Sequence, residues 1–265
     1  MAEDGLVVKA PKVLILSAPG TNCAVETSNA FSDLGARPEI VGLHLFKEKR
    51  VRLLDYDIFV IPGGFSYGDE ISAGKILAAQ VKLHIGDLKN FIRMGRPVIG
   101  ICNGFQVLVK AGVLPFSPSC EQSASLITND SGRFENRWVH LRINTQNPSL
   151  FFRGLPEMIE LPVAHGEGKL VLRSPKQLED LKRNRSIAMQ YVSDDGKIAP
   201  YPANPNGSVF NIAALTNPEG NCLGMMPHPE RYTKNYQHPN WTRQTFQKQA
   251  FGLAILKNAV DYCRG

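Results

Sequence analysis

Pro97-Val98-Ile99-Gly100-Ile101-Cys102-Asn103-Gly104-Phe105-Gln106 is the stretch on which the reading of the fold turns. A short apolar strand runs straight into a cysteine flanked by glycines at 100 and 104, and a helix-compatible segment, Asn103 to Ala111, follows. Strand, tight turn and helix in that order form the elbow on which α/β hydrolases carry a nucleophile, here with a thiol in place of a hydroxyl. The turn lifts the sulfur above the sheet edge, and the N-terminal N–H groups of the helix point at it. Both effects favour the thiolate, the reactive form of cysteine. The plainer alternative is a structural cysteine buried at a strand end.

Outward from this elbow the chain repeats the same grammar. Val13-Leu14-Ile15-Leu16 reads as a buried strand, followed by a helix capped at Thr21 or Asn22, running through Leu34 and closed by Gly35. Ile40, Val41 and Leu43 suggest a second strand, and Ile58-Phe59-Val60-Ile61 a third that stops at Pro62-Gly63-Gly64. A helix is predicted from Lys75 to Met94, ahead of the strand Val98 to Ile101. Apolar strands without polar alternation, separated by helices, predict a mostly parallel open sheet with helices on both faces. The middle of the chain differs. In Trp138 to Ile143, Val139, Leu141 and Ile143 alternate with Trp138, His140 and Arg142, which predicts a small antiparallel addition with one exposed face. Short strands are predicted near 160–163, 186–191, 209–215 and 222–226, a loop over 194–207, and a closing amphipathic helix from Thr242 to Tyr262 with Phe246, Ala250, Leu253 and Leu256 on one face.

The chain has 265 residues, 43% of them hydrophobic and 20% charged, which is the profile of an ordinary globular protein. No apolar run reaches the roughly 18 residues of a membrane span, and the N-terminal residues lack the pattern of a secretory signal. The net charge of +6 is spread along the chain with no Lys/Arg run interleaved with aromatics, so neither nucleic-acid nor membrane binding is expected. Five cysteines, at 23, 102, 120, 222 and 263, are too scattered for a disulfide framework or a metal motif. A reducing, cytoplasmic setting follows, and no metal site is expected.

A thiolate nucleophile needs a base, and the base an orienting acceptor. His228 is the strongest of six histidines, in the turn Gly224-Met225-Met226-Pro227-His228-Pro229-Glu230-Arg231. Prolines on either side restrict its backbone, and Glu230, two residues on, can face the same way and fix the imidazole tautomer. Pro62-Gly63-Gly64-Phe65-Ser66-Tyr67-Gly68-Asp69 sits at another strand end. Its adjacent glycines allow close backbone approach, and their N–H groups, with that of Asn103, suit an oxyanion. Ala164-His165-Gly166-Glu167-Gly168 offers either a second base and a carboxylate for a substrate ammonium, or a hairpin turn.

These motifs, together with Gly20-Thr21-Asn22-Cys23 and Asn204-Pro205-Asn206-Gly207-Ser208, resemble those of class I, triad-type glutamine amidotransferases, and most closely the family of phosphoribosylformylglycinamidine synthase glutaminase subunits. The resemblance implies one amidotransferase domain over residues 1–265. It implies that Cys102 attacks the glutamine side-chain amide, that His228 protonates the departing ammonia and then activates water against the thioester, and that Glu230 orients His228. Gly63, Gly64, Phe65 and Asn103 would surround the oxyanion and amide, with Gln106, Gly166 and Glu167 in the glutamine pocket. The family delivers ammonia to a synthetase subunit, with room for a small third subunit, and that partner carries ATP and Mg while this chain carries no cofactor. A cysteine hydrolase of similar fold acting on γ-glutamyl or peptide substrates is the alternative. Arg133, Arg137, Trp138 and Arg142 read either as partner interface or as a solvated edge. On the first reading, charge reversal at Arg137 and Arg142 weakens the complex and spares the fold.

Overall fold

A computed structural model describes residues 9–48, 50–66, 74–115, 119–243 and 250–265. Its centre is one nine-stranded sheet built from two halves of opposite character. The first half comprises β1 (Lys12–Ser17), β2 (Arg37–Gly42), β3 (Ile58–Ile61) and β4 (Val98–Ile101), in the order β2-β1-β3-β4 and all parallel. Every residue of β3 and β4 is buried, as are Val13 to Leu16 of β1. Residues of both parities are therefore covered, so the sheet is packed on both faces, and such strands must be apolar throughout.

The second half contains β5 (Ala124–Ile127), β6 (Glu135–Ile143), β7 (Met158–His165), β8 (Lys169–Leu172), β9 (Ile187–Val192), β10 (Ile212–Thr216) and β11 (Cys222–Met225). β11 pairs parallel to β4, after which β10, β9, β6 and β7 continue the sheet antiparallel. β5 and β8 form a separate antiparallel pair. The alternation over Trp138 to Ile143 is realised: Val139, Leu141 and Ile143 are buried, and their neighbours half-buried. Trp138 does not lie open to solvent, because its ring packs edge-on against Tyr232 and His238 at 4.9 and 4.6 Å.

Seven α-helices are described: α1 (Ala24–Asp33), α2 (Leu43–Lys47), α3 (Lys75–Lys82), α4 (Ile85–Arg93), α5 (Asn103–Lys110), α6 (Pro175–Arg183) and α7 (Phe251–Arg264). α1 packs on β1 and α7, while α5 packs on α3, β3 and β4. The single helix predicted over 75–94 is two. The backbone leaves helical geometry at His84 (φ −112°, ψ 19°), whose ring stacks edge-on against Phe46, and α4 then turns Leu88 and Phe91 into the core. Leu43 opens a short helix and does not extend the second strand. α1 begins after Cys23, which caps it without a side-chain bond, while the Thr21 hydroxyl accepts from the Ala18 N–H at 3.1 Å. The C-terminal helix starts at Phe251, and the predicted stretch around Phe246 lies outside the described residues.

Strand direction decides where function collects. β1, β3, β4 and β11 share one direction, and two antiparallel reversals on each side of β9 give β7 that direction too. All five carboxyl ends therefore open on the same sheet edge, where α/β sheets bind ligands.

Candidate active site

Each of those five ends contributes to one cavity of about 300 Å³, lined by Asn22 and Cys23 after β1, Gly64 and Phe65 after β3, Cys102 and Gln106 after β4, residues 164–167 at the end of β7, and His228 and Arg231 after β11. Phe134 completes the wall.

Cys102 stands between β4 and α5 with φ 50° and ψ −104°, a conformation that L-residues rarely adopt. Such a strain costs about 1–3 kcal/mol and survives only where neighbours over-determine it. Here the Cys102 N–H donates to the Met225 carbonyl at 2.8 Å, and its own carbonyl accepts from the Gln106 N–H at 3.1 Å. The residue is 6% exposed, and its Sγ lies 3.6 Å from the Ala164 carbonyl oxygen. It faces the cavity above the N-terminus of α5, as the elbow reading requires.

His228 and Glu230 are both buried, and Nδ1 of the ring lies 2.7 Å from Oε1 of the carboxylate. The backbone is anchored by the His228 N–H donating to the Pro162 carbonyl at 2.8 Å. Burial opposes the charged imidazolium, but the Glu230 carboxylate and the sulfurs of Cys102 and Cys23 outweigh it and hold the His228 pKa well above its ordinary value. Nε2 is buried without a hydrogen-bond partner, which leaves that nitrogen uncommitted.

Gly63 explains why the ring can come so close. A Cβ there would stand 2.8 Å from His228 Cε1 and 3.1 Å from Cys23 Sγ. At Gly64 (φ +146°) a Cβ would meet the backbone of Gly20, Thr21 and Asn22 at 2.7–2.8 Å. The Phe65 N–H is already donated to the Gly20 carbonyl at 2.9 Å, which leaves the Gly64 and Asn103 amides uncommitted among the described residues. Phe65 contributes its ring, which faces Phe134 across 6.2 Å at the mouth, the two residues being 46% and 51% exposed. Tyr67, Gly68 and Asp69 of the same motif lie outside the described residues.

Gln106 acts as a strut. Its Nε2 donates to the Glu167 carbonyl at 2.5 Å, and its Oε1 accepts from Asn103 Nδ2 at 2.9 Å. This ties α5 to the turn after β7 and places Gly166 and Glu167 on the cavity wall. His165 is no second base. Its ring is buried between Asn129 Oδ1 at 3.2 Å and Asn206 Nδ2 at 3.5 Å, and burial, aided by the nearby His228 charge, pushes its pKa down to about 3.

Arg137 is not a free surface cation. It lies 3.1 Å from Glu135, which is buried, and stacks under Tyr201 at 5.1 Å. Arg142 donates to Gln190 Oε1 at 3.2 Å, and Arg133 is exposed beside the mouth. Phe134 and Arg231 are wall residues that sequence reasoning does not single out. Arg231 carried a signal, adjacency to Glu230, whereas Phe134 carried none.

A buried His–Glu pair facing an elbow thiol, beside a Gly-Gly loop, on a mixed α/β sheet, defines the class of thiol-dependent acyl-transfer enzymes. A family model described as a CobB/CobQ-like glutamine amidotransferase domain matches residues 10–263. The phosphoribosylformylglycinamidine synthase subunit PurQ of Dehalococcoides mccartyi is 43% identical over 255 residues, covering 96% of this chain and 98% of the relative. That of Archaeoglobus fulgidus is 41% identical over 269 residues, covering 95% and 96%. Among solved structures, PurLQS from Thermotoga maritima contains a chain that aligns with a TM-score of 0.72 and 28% identity, covering 96% of this chain and 99% of that one. A glutamine amidotransferase from Thermotoga maritima, 14% identical with a TM-score of 0.57, shares the fold. The chain belongs to the glutamine amidotransferases and, among them, to the PurQ subunits of phosphoribosylformylglycinamidine synthase.

Proposed function

We propose that this chain hydrolyses L-glutamine to glutamate and supplies the ammonia to a synthetase subunit, which converts formylglycinamide ribonucleotide to its amidine in purine biosynthesis. The observation that carries the reading is the buried His228–Glu230 pair, whose uncommitted Nε2 borders the same cavity as the strained Cys102. The Cys102 thiolate attacks the side-chain amide carbon of glutamine. The Gly64 and Asn103 N–H groups receive the oxyanion, which a positioned donor stabilises far better than water. His228, favoured in its protonated form, gives a proton to the leaving nitrogen, and ammonia departs from a thioester on Cys102. The neutral imidazole then takes a proton from water as it attacks the thioester, releasing glutamate and restoring the thiol. Glu230 holds the tautomer and stabilises the imidazolium.

Gly63, Phe65, Gln106, Gly166 and Glu167 shape the glutamine pocket, Gly63 by admitting the His228 ring and Gln106 by fixing the turn. The cavity suits one amino acid better than a peptide, and the full-length match to PurQ subunits disfavours a γ-glutamyl or peptide hydrolase. Residues 1–265 act as a single amidotransferase domain, consistent with the nine-stranded sheet that takes strands from both halves of the chain. ATP and Mg belong to the synthetase partner, and a small third subunit joins the assembly, as the composition of PurLQS suggests. Five free cysteines fit a reducing cytoplasm. No described helix is long and apolar enough to cross a membrane. The test is labelling with a glutamine-analogue electrophile followed by mass mapping. Modification at Cys102 supports the reading, and modification elsewhere with Cys102 untouched removes it.

A further inference from the structure

The motif Asn204-Pro205-Asn206-Gly207-Ser208 takes no part in the chemistry above, and neither does Asn129, which follows β5. Both reach His165. Asn206 Oδ1 accepts from the Ser208 N–H at 3.0 Å, so the Nδ2 side of that amide faces the ring. An amide nitrogen only donates, so His165 Nε2, 3.5 Å away, is the acceptor and the ring proton sits on Nδ1. That proton meets Asn129 Oδ1 at 3.2 Å. The turn after β7 is therefore built around a neutral ring in one tautomer. The ring folds back over Gly168, where a Cβ would stand 2.4 Å from His165 Cε1, which explains the second glycine of Ala164-His165-Gly166-Glu167-Gly168.

Asn129 is buried, and the whole capacity of its amide, two donors and two acceptor sites, is in use. Its Nδ2 donates to the His165 carbonyl at 2.8 Å and to the Arg133 carbonyl at 2.9 Å. Its Oδ1 accepts from the Gly168 N–H at 3.0 Å as well as from His165. The Asn129 N–H donates to the Gly166 carbonyl at 2.9 Å. Each of these bonds ends on a segment that walls the catalytic cavity: the turn carries Gly166 and Glu167, and Arg133 precedes Phe134. Gln106 braces the same turn from α5 at the Glu167 carbonyl. Losing the Asn129 amide therefore lets the turn and the Phe134 rim shift while α5 still holds one side. No bond of this amide goes to Cys102, His228 or Glu230.

We propose that Asn129 is a positioning residue for glutamine, whose amide sets the turn 165–168 and the Phe134 rim around the substrate and so fixes its affinity. The proposal rests on the glutaminase function proposed above. Asn129→Asp keeps the shape but turns an acceptor oxygen toward two carbonyls, and Asn129→Ser removes the same bonds without adding charge. Two variants keep the test open if one fails to fold, which thermal unfolding reports. Glutamine kinetics are measured in the reconstituted complex. Labelling of Cys102 in the full chain is followed with a glutamine-analogue electrophile and with iodoacetamide, which needs no glutamine pocket. KM for glutamine should rise about tenfold while kcat falls by less than about threefold, the mark of lost ground-state binding. Labelling by the analogue at low concentration should slow about tenfold, and labelling by iodoacetamide should change by less than about twofold. Wild-type KM and analogue labelling in a folded variant overturn the proposal. An unchanged KM with reduced kcat, or a parallel loss of both labelling reactions, also overturns it, because Asn129 then supports the nucleophile or the fold. A wild-type Cys102 that iodoacetamide modifies and the analogue does not removes the glutaminase reading, and the positioning role with it.

Discussion

Gly63→Ala puts the geometry of the site to a quantitative test. The added Cβ would stand 2.8 Å from His228 Cε1 and 3.1 Å from Cys23 Sγ. Ordinary carbon contacts begin near about 3.5 Å, so the imidazole must retreat by about 0.7 Å. It has little freedom to do so. Nδ1 is held 2.7 Å from Glu230, and the His228 N–H is bonded to Pro162 at 2.8 Å. Misplacing a catalytic group by about an ångström costs up to about a hundredfold in rate, so kcat for glutamine hydrolysis should fall by about 10- to 100-fold, or about 1.4–2.7 kcal/mol. Overpacking should also lower stability by about 1–3 kcal/mol. Gly63 is not among the glycines at positive φ, so backbone strain contributes nothing and the effect reports the crowding of the ring and of Cys23 Sγ. The assay is steady-state glutaminase kinetics in the reconstituted complex, with ammonia-dependent synthesis as the control that must stay unchanged. A folded Gly63→Ala protein with wild-type kcat would refute the placement of His228 against this loop.

Three further outcomes follow from the same contacts. Glu230→Gln should reduce kcat by up to about ten-thousandfold, the loss that follows amide replacement of the carboxylate in a Ser-His-Asp triad, and should lower the apparent pKa of His228 in the pH–rate profile; an unshifted profile contradicts the pairing. His165 is held neutral by burial, with a pKa near 3, while its unfolded form takes a proton near its ordinary value. The unfolded state therefore binds more protons as pH falls, and stability drops. Between about pH 7 and pH 5 the wild type should lose about 2 kcal/mol more than His165→Gln in denaturant unfolding, and equal losses contradict the burial argument. Arg137→Glu should destabilise the isolated chain by about 1–3 kcal/mol, because buried Glu135 loses its cation and gains a like charge, so weakened partner binding in that variant cannot be read as an interface effect. A thermal midpoint equal to wild type contradicts that view.

The parallel half of the fold was legible because its strands are buried on both faces and must read as apolar runs: β1, β3 and β4 lie where their sequence predicts. β5 and β8 were not. Each has four residues, and β8 has a single fully buried side chain, too little for a period to show. α6 escaped for a different reason. It buries only Leu181, so its hydrophobic pattern is faint, although Ser174 and Gln177 at capping-box spacing, with Pro175 at the first helical position, are a local start signal. The break at His84 carries no Gly or Pro and is set by the tertiary contact with Phe46. At the site, Cys102, His228 and Glu230 were readable because each sits in a constrained local turn. The wall residues Cys23, Phe134 and Arg231 meet only through the strand order of the sheet, which no local pattern records.

The central claim is that Cys102 releases ammonia from glutamine for a partner to use. The direct test is synthesis by the reconstituted complex carrying Cys102→Ala, with glutamine and then with ammonium as the nitrogen source. Glutamine-dependent synthesis should vanish while ammonium-dependent synthesis continues at the wild-type rate. Glutamine-dependent turnover that persists in Cys102→Ala would contradict the account.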